Sequence, residues 1–148
     1  MTFPDPSPLD LKSRATFRHW SQVPLRYVDQ DPLGHVNNAA LPMCLEQARV
    51  ELISPLMKAH AGPDADIIIA RLLLDYVQEI TYPGTIEIGM RLVRIGTKSF
   101  VTAHGMFMQG SDTCVGTAES VLVMFDTRLR TSIVPDAGLR AALERLMA

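Results

Sequence analysis

The sequence predicts an α+β fold in which an antiparallel sheet wraps around one long central helix, and three observations carry that prediction. From about Asn38 to His60, Leu41, Leu45, Ala48 and Leu52 recur at spacings of four, three and four, which lays them on one face of a helix. The chain from there to Asp126 reads as strands broken by turns at Pro83-Gly84, Gly96-Thr97-Lys98 and Gly110-Ser111-Asp112, connections too short for parallel crossovers. A sheet of that size has one apolar face, and the 38–60 helix is the only segment long enough to cover it.

Residues 17–29 read as the first strand, weighted by Phe17, Trp20, Val23, Leu25, Tyr27 and Val28. Pro24 makes this strand an edge or interrupts it there. The helix follows, with Asn37 or Asn38 as its cap and Pro42 confined to the first turn. Met43, Cys44, Val50 and Ile53 lie off the apolar stripe, so the helix is expected to be buried on more than one side. Gly62-Pro63 ends it. Strands are then expected over 67–76, 85–95, 100–108 and 117–125, of which 85–95 alternates cleanly. A short helix closes the chain over 136–147, with Asp136 as its cap.

With 148 residues, 47% hydrophobic and 20% charged, the chain suits a single globular domain spanning 1–148. A net charge of −2 gives no field that draws it to nucleic acid, and no apolar run is long enough to cross a bilayer, so neither partner is expected. Residues 1–16 are proline-rich and lack the apolar core of a signal peptide; they read as a flexible tail or short extension. Cys44 and Cys114 have no metal-ligand spacing, and reduced thiols in a cytoplasmic protein fit them best. His19, His60 and His104 are scattered, and no metal site is expected. No GxxxxGK[ST] or GxGxxG pattern points to a nucleoside triphosphate or dinucleotide.

The densest polar stretch is Arg26-Tyr27-Val28-Asp29-Gln30-Asp31-Pro32-Leu33-Gly34-His35-Val36-Asn37-Asn38, between the first strand and the helix. It holds two carboxylates, a turn, a histidine and both asparagines of the chain, and loops on rigid scaffolds carry function. This layout, with Asp29-x-Asp31-Pro32-x-Gly34-His35-Val36-Asn37-Asn38 followed by Glu46-Gln47-Ala48-Arg49, resembles the hotdog-fold acyl-CoA thioesterases, in particular the 4-hydroxybenzoyl-CoA thioesterase type. Weaker echoes lie at Asp75-Tyr76 to Pro83-Gly84 and at Ile95-Gly96 to Ser99-Phe100, and Leu41 stands where relatives carry an aromatic residue. The resemblance covers roughly residues 17–128.

The resemblance implies a hotdog fold, hydrolysis of an acyl-CoA to free acid and CoA, and a homodimer or dimer of dimers with sites between subunits. It also implies Asp31 as the catalytic carboxylate and the backbone N–H near Asn38 as the donor to the thioester oxygen. No cofactor is required, since CoA belongs to the substrate. The chemistry is sound: a helix start offers free N–H groups and a partial positive charge to a developing oxyanion. Asp31 either attacks the carbonyl carbon or deprotonates a water.

Each residue has a plainer reading. Asp31 also suits a turn before Pro32, and Asp29 suits a structural pairing with backbone or Arg26. His35 either touches substrate, orients Asp31 or is structural, and Asn37 and Asn38 suit helix capping. Glu46, on a buried helix, needs a partner; Arg49 is at pairing distance, and Glu46 is the second choice of carboxylate. Substrate contacts are expected from Gly34, Val36 and Asn37 in the loop. Arg94, Thr97, Lys98 and Ser99, at the later turn, are expected to meet CoA, whose phosphates favour basic groups. The competing functions are a hotdog acyl-thioester hydratase or dehydratase and a non-enzymatic acyl-CoA binding module.

Overall fold

The structure, a computed structural model, describes Thr2 and residues 8–147. Strand β1 (His19–Pro24) leads through the polar loop to helix α1 (Ala40–His60). Strands β2 (Ala65–Tyr76), β3 (Thr85–Ile95), β4 (Ser99–Met108), β5 (Cys114–Asp126) and the short β6 (Thr131–Ser132) follow, and helix α2 (Ala137–Met147) closes the fold. The sheet runs β1-β3-β4-β5-β2, with β6 on β5, and every pairing is antiparallel.

The first strand is shorter than the 17–29 the sequence suggests. It ends at Pro24, which has no N–H to continue the ladder, and it does lie at the sheet edge. Tyr27–Asp29 turns into a single 3-10 turn instead, because Arg26 and Asp29 cap each other: the Asp29 carboxylate accepts from the Arg26 backbone N–H at 2.7 Å and from its guanidinium at 2.7 Å. The helix begins at Ala40, two residues later than expected, with Pro42 in its first turn and Pro55 accommodated inside it.

Leu41, Leu45, Ala48, Ile53 and Met57 turn inward from α1. Leu41, Leu45 and Ala48 pack on Ile86, Ile88, Met106 and Ala118; Ile53 and Met57 pack on Phe100, Leu122, Met124 and on Leu139 and Leu143 of α2. Cys44 is buried as well, whereas Met43 and Val50 are about half exposed in the single chain, so the far side of α1 is open. Ile68 and Ile69, on edge strand β2, are exposed to a similar degree. Both cysteines are buried and free.

Residues 9–16 form an extension along the outer face of the sheet. Leu11 and Phe17 pack on Phe107 and Cys114, and the Arg14 guanidinium sits 4.5 Å from the Trp20 ring centre while pairing with Glu87 at 2.5 Å. Gly89 and Gly105 face each other across β3 and β4 and leave room for the Phe17 ring; a Cβ on either would come within 2.5 Å of it. Among the described residues no helix is long and apolar enough to cross a membrane.

Candidate active site

The loop between β1 and α1 is a small hairpin. Gln30 pairs with Val36, the Asp31 N–H donates to the His35 carbonyl at 2.8 Å, and the Asn37 N–H donates to the Asp29 carbonyl at 2.7 Å. Gly34, with a φ of 81°, makes the reversal at a backbone angle that disfavours other residues. A second segment braces the hairpin: the Val36 N–H donates to the Ile80 carbonyl at 2.7 Å, and His35 bridges to Thr81.

Asp31 is half-buried, and its Oδ1 accepts from the N–H groups of Leu33 at 2.9 Å and His35 at 3.2 Å. The turn reading of Asp31 is therefore realised, and it fixes the carboxyl group in place. Asp29 is buried and structural. The Arg26 guanidinium beside it holds its carboxyl below the usual carboxylate range, against the opposing effect of burial. A lowered folded-state value means stability that is present above the unfolded value and is lost as pH falls through the folded one. Wild type is thus expected to lose stability on acidification below about pH 4, the ordinary Asp value, and Asp29→Asn to lose less over that window while being less stable at pH 7. Urea titrations at a series of pH values read this; parallel pH profiles would mean that the Arg26–Asp29 pair does not control the loop.

His35 directs its Nε2 to Glu79 Oε2 at 3.1 Å, and it steadies Asp31 through its backbone, not its ring. Neither asparagine caps α1 as expected: its N-cap is Ala39, with no side-chain cap bond, and Asn37 makes a turn just ahead of it, its Oδ1 accepting from the Ala39 N–H at 2.9 Å and its carbonyl from the Ala40 N–H at 2.8 Å. Asn38 lies in the turn just before α1, not within it. Its carbonyl accepts from the Tyr76 hydroxyl at 2.9 Å, and no acceptor among the described residues takes its N–H. Val36 is 8% exposed and packs in the core with Ala40 and Leu41.

Six of the ten sequence-designated residues, Asp31, Gly34, His35, Val36, Asn37 and Asn38, therefore share one hairpin. Arg94, Thr97, Lys98 and Ser99 do not join them. β3 starts at Thr85, paired with Pro24 beside the loop, and ends at Ile95, so this turn lies a strand length away, roughly 30 Å at about 3.3 Å per residue. There the Lys98 ammonium donates to the Ser132 carbonyl at 3.3 Å.

Glu46 departs from expectation. It is exposed and forms no ion pair with Arg49, because it faces the open side of α1. Arg49 turns inward instead, 6% exposed, and donates to Ser120 Oγ at 3.4 Å. Beside it His104 is fully buried, with Nε2 3.0 Å from Thr102 Oγ1; burial, then the Arg49 charge, push its pKa down to about 3, so it is neutral at pH 7. Tyr76, Glu79, Ile80 and Arg49 are the contributors that the sequence reading missed. The Asp75-Tyr76 to Pro83-Gly84 echo is the signal that marks the first three.

A curled antiparallel sheet packed against one long helix, with an acidic hairpin at the helix entrance, defines a hotdog domain. Residues 25–143 match the family model of the Thioesterase-like superfamily, and the chain belongs to that family. No curated protein sequence matches the chain. Among solved structures it is similar to a protein of Pseudomonas aeruginosa, with TM-score 0.79 and 23% identity over 92% of this chain and 96% of that one. It is also similar to a thioesterase of Thermus thermophilus solved in complex with coenzyme A and zinc (TM-score 0.74, 26% identity, 88% and 95% coverage). A DHNA-CoA thioesterase of Staphylococcus aureus aligns at TM-score 0.69 and 17% identity, covering 78% of each chain.

Proposed function

We propose that the protein hydrolyses acyl-CoA thioesters in the manner of the 4-hydroxybenzoyl-CoA thioesterase type, with Asp31 as the catalytic carboxylate and the Asn38 N–H as the oxyanion donor. The observation that carries this is the Asp31 carboxyl, pinned through Oδ1 by two loop N–H groups in the same hairpin that presents the untaken Asn38 N–H. The Tyr76 hydroxyl and the Asn37 side chain hold that turn, so the donor is preorganised. The thioester carbonyl oxygen receives the Asn38 N–H, and Asp31 attacks the carbon or activates a water that does; CoA leaves as the thiolate.

The site is completed by a second copy. Val50 on α1 and Ile68 on the β2 edge are exposed apolar residues of the kind that self-association covers. In a homodimer or dimer of dimers, the Arg94–Ser99 turn of one subunit is available to CoA bound at the hairpin of another, which fits their separation within one chain. The relative from Thermus thermophilus, bound to coenzyme A, supports this choice of carrier.

The test is release of free thiol from a panel of acyl-CoAs, read with a thiol dye. Release above the uncatalysed rate is expected. Silence across the panel, with an absorbance change on enoyl-CoA, would reassign the protein as a hydratase.

A further inference from the structure

A groove of about 340 Å³ lies between α1 and β2, with Pro42 in its lining nearest in sequence to the proposed site. Pro42, Met43, Ile69 and Leu72 give it apolar walls, and Glu46, Arg49 and Arg71 bring charge to it. It opens in the first turn of α1, beside the turn that holds Asn38, and Tyr76 at the end of β2 ties its two walls together there. The register of β2 on β5 slips between Ile69 and Arg71, and that bulge lies on the groove wall; bulges recur beside functional sites.

Of the α1 residues that line the groove, Arg49 is the farthest along the chain from Pro42. It is nine residues past Ala40, ~14 Å along the helix axis at about 1.5 Å per residue. A buried charge is costly unless paired. Yet the only hydrogen bond the guanidinium makes among the described residues is the 3.4 Å one to Ser120 Oγ, and no carboxylate there ion-pairs with it. Glu46 is near enough to favour its charge but forms no ion pair with it. His104 is neutral and brings no negative charge. The groove thus combines a largely apolar wall with a buried guanidinium at its far end that no carboxylate among the described residues ion-pairs, Glu46 lying on the exposed rim.

We infer that Arg49 is a specificity-determining residue and that the groove takes acyl chains ending in a carboxylate, the ω-carboxyacyl thioesters. This deepens the thioesterase reading and rests on it. The guanidinium receives the terminal carboxylate, the methylene chain lies on Met43, Ile69 and Leu72, and the thioester remains at the Asp31 hairpin.

The experiment measures thiol release from adipoyl-, suberoyl- and sebacoyl-CoA against hexanoyl-, octanoyl- and decanoyl-CoA, with wild type, Arg49→Met and Arg49→Lys. At the best-fitting length, wild type is expected to favour the carboxylated chain on the order of 30-fold or more in kcat/KM, carried by KM. Arg49→Met should erase that ratio and Arg49→Lys should keep part of it. A wild-type ratio near one, or an unchanged ratio in Arg49→Met, overturns the inference. Should Arg49→Met fail to fold, the wild-type ratio decides alone. Release from none of the six overturns this inference; the hydrolase reading falls only if the wider acyl-CoA panel is silent as well.

Discussion

Asp31→Asn is expected to lower kcat on acyl-CoA by ~10²–10⁴-fold, the range for loss of a positioned acid, base or nucleophile. The substitution isolates the chemistry. Asparagine keeps an Oδ1 that accepts from the Leu33 and His35 N–H groups, so the hairpin retains its fold. Its amide neither attacks a thioester nor takes a proton from water. Thermal melts of the two proteins should coincide, and the fall should appear in kcat with KM little changed, because the residue serves the transition state. Full activity in the variant would remove Asp31 from catalysis, and Glu46, exposed on the open side of α1, would be the next carboxylate to test.

Leu45→Ala is the largest expected effect on stability, a loss of about 2–5 kcal/mol. Leu45 has no exposed surface and is packed among Ile86, Ile88, Met106 and Ala118, on three different strands. The rigid sheet cannot collapse onto the vacated space from several sides at once, so the cavity cost adds to the lost transfer energy. Urea unfolding of wild type and variant measures it. A loss below about 1 kcal/mol would mean that the sheet does not pack on this face of the helix as described.

The helix and four long strands are legible in the sequence because their signals are periodic and local. Spacing of four, three and four puts Leu41, Leu45, Ala48 and Leu52 on one face; the first three are buried and Leu52 is partly so. The first strand is overread because Tyr27 and Val28 have strand propensity, while the reciprocal Arg26–Asp29 capping that breaks the strand depends on side-chain geometry. Helix starts are blurred for a similar reason: Asn37 opens an Asx-type turn that runs to Ala39, and the first helical residue is Ala40. The hairpin itself is visible as a cluster of polar and turn residues. Its braces are not, since Tyr76, Glu79 and Ile80 are some forty residues away in sequence and reach it only through sheet closure. Arg49 is misassigned by spacing alone. Three residues after Glu46 it is close enough to pair, but the turn of the helix sends one side chain to solvent and the other into the core.

A crystal structure of Asp31→Asn bound to a slowly hydrolysed acyl-CoA is the most direct measurement. The thioester carbonyl oxygen should lie about 3 Å from the Asn38 nitrogen, with its carbon within ~3.5 Å of the residue 31 side chain. A thioester seated elsewhere, or a carbonyl turned away from Asn38 toward other donors, would contradict the assignment of this hairpin as the catalytic centre.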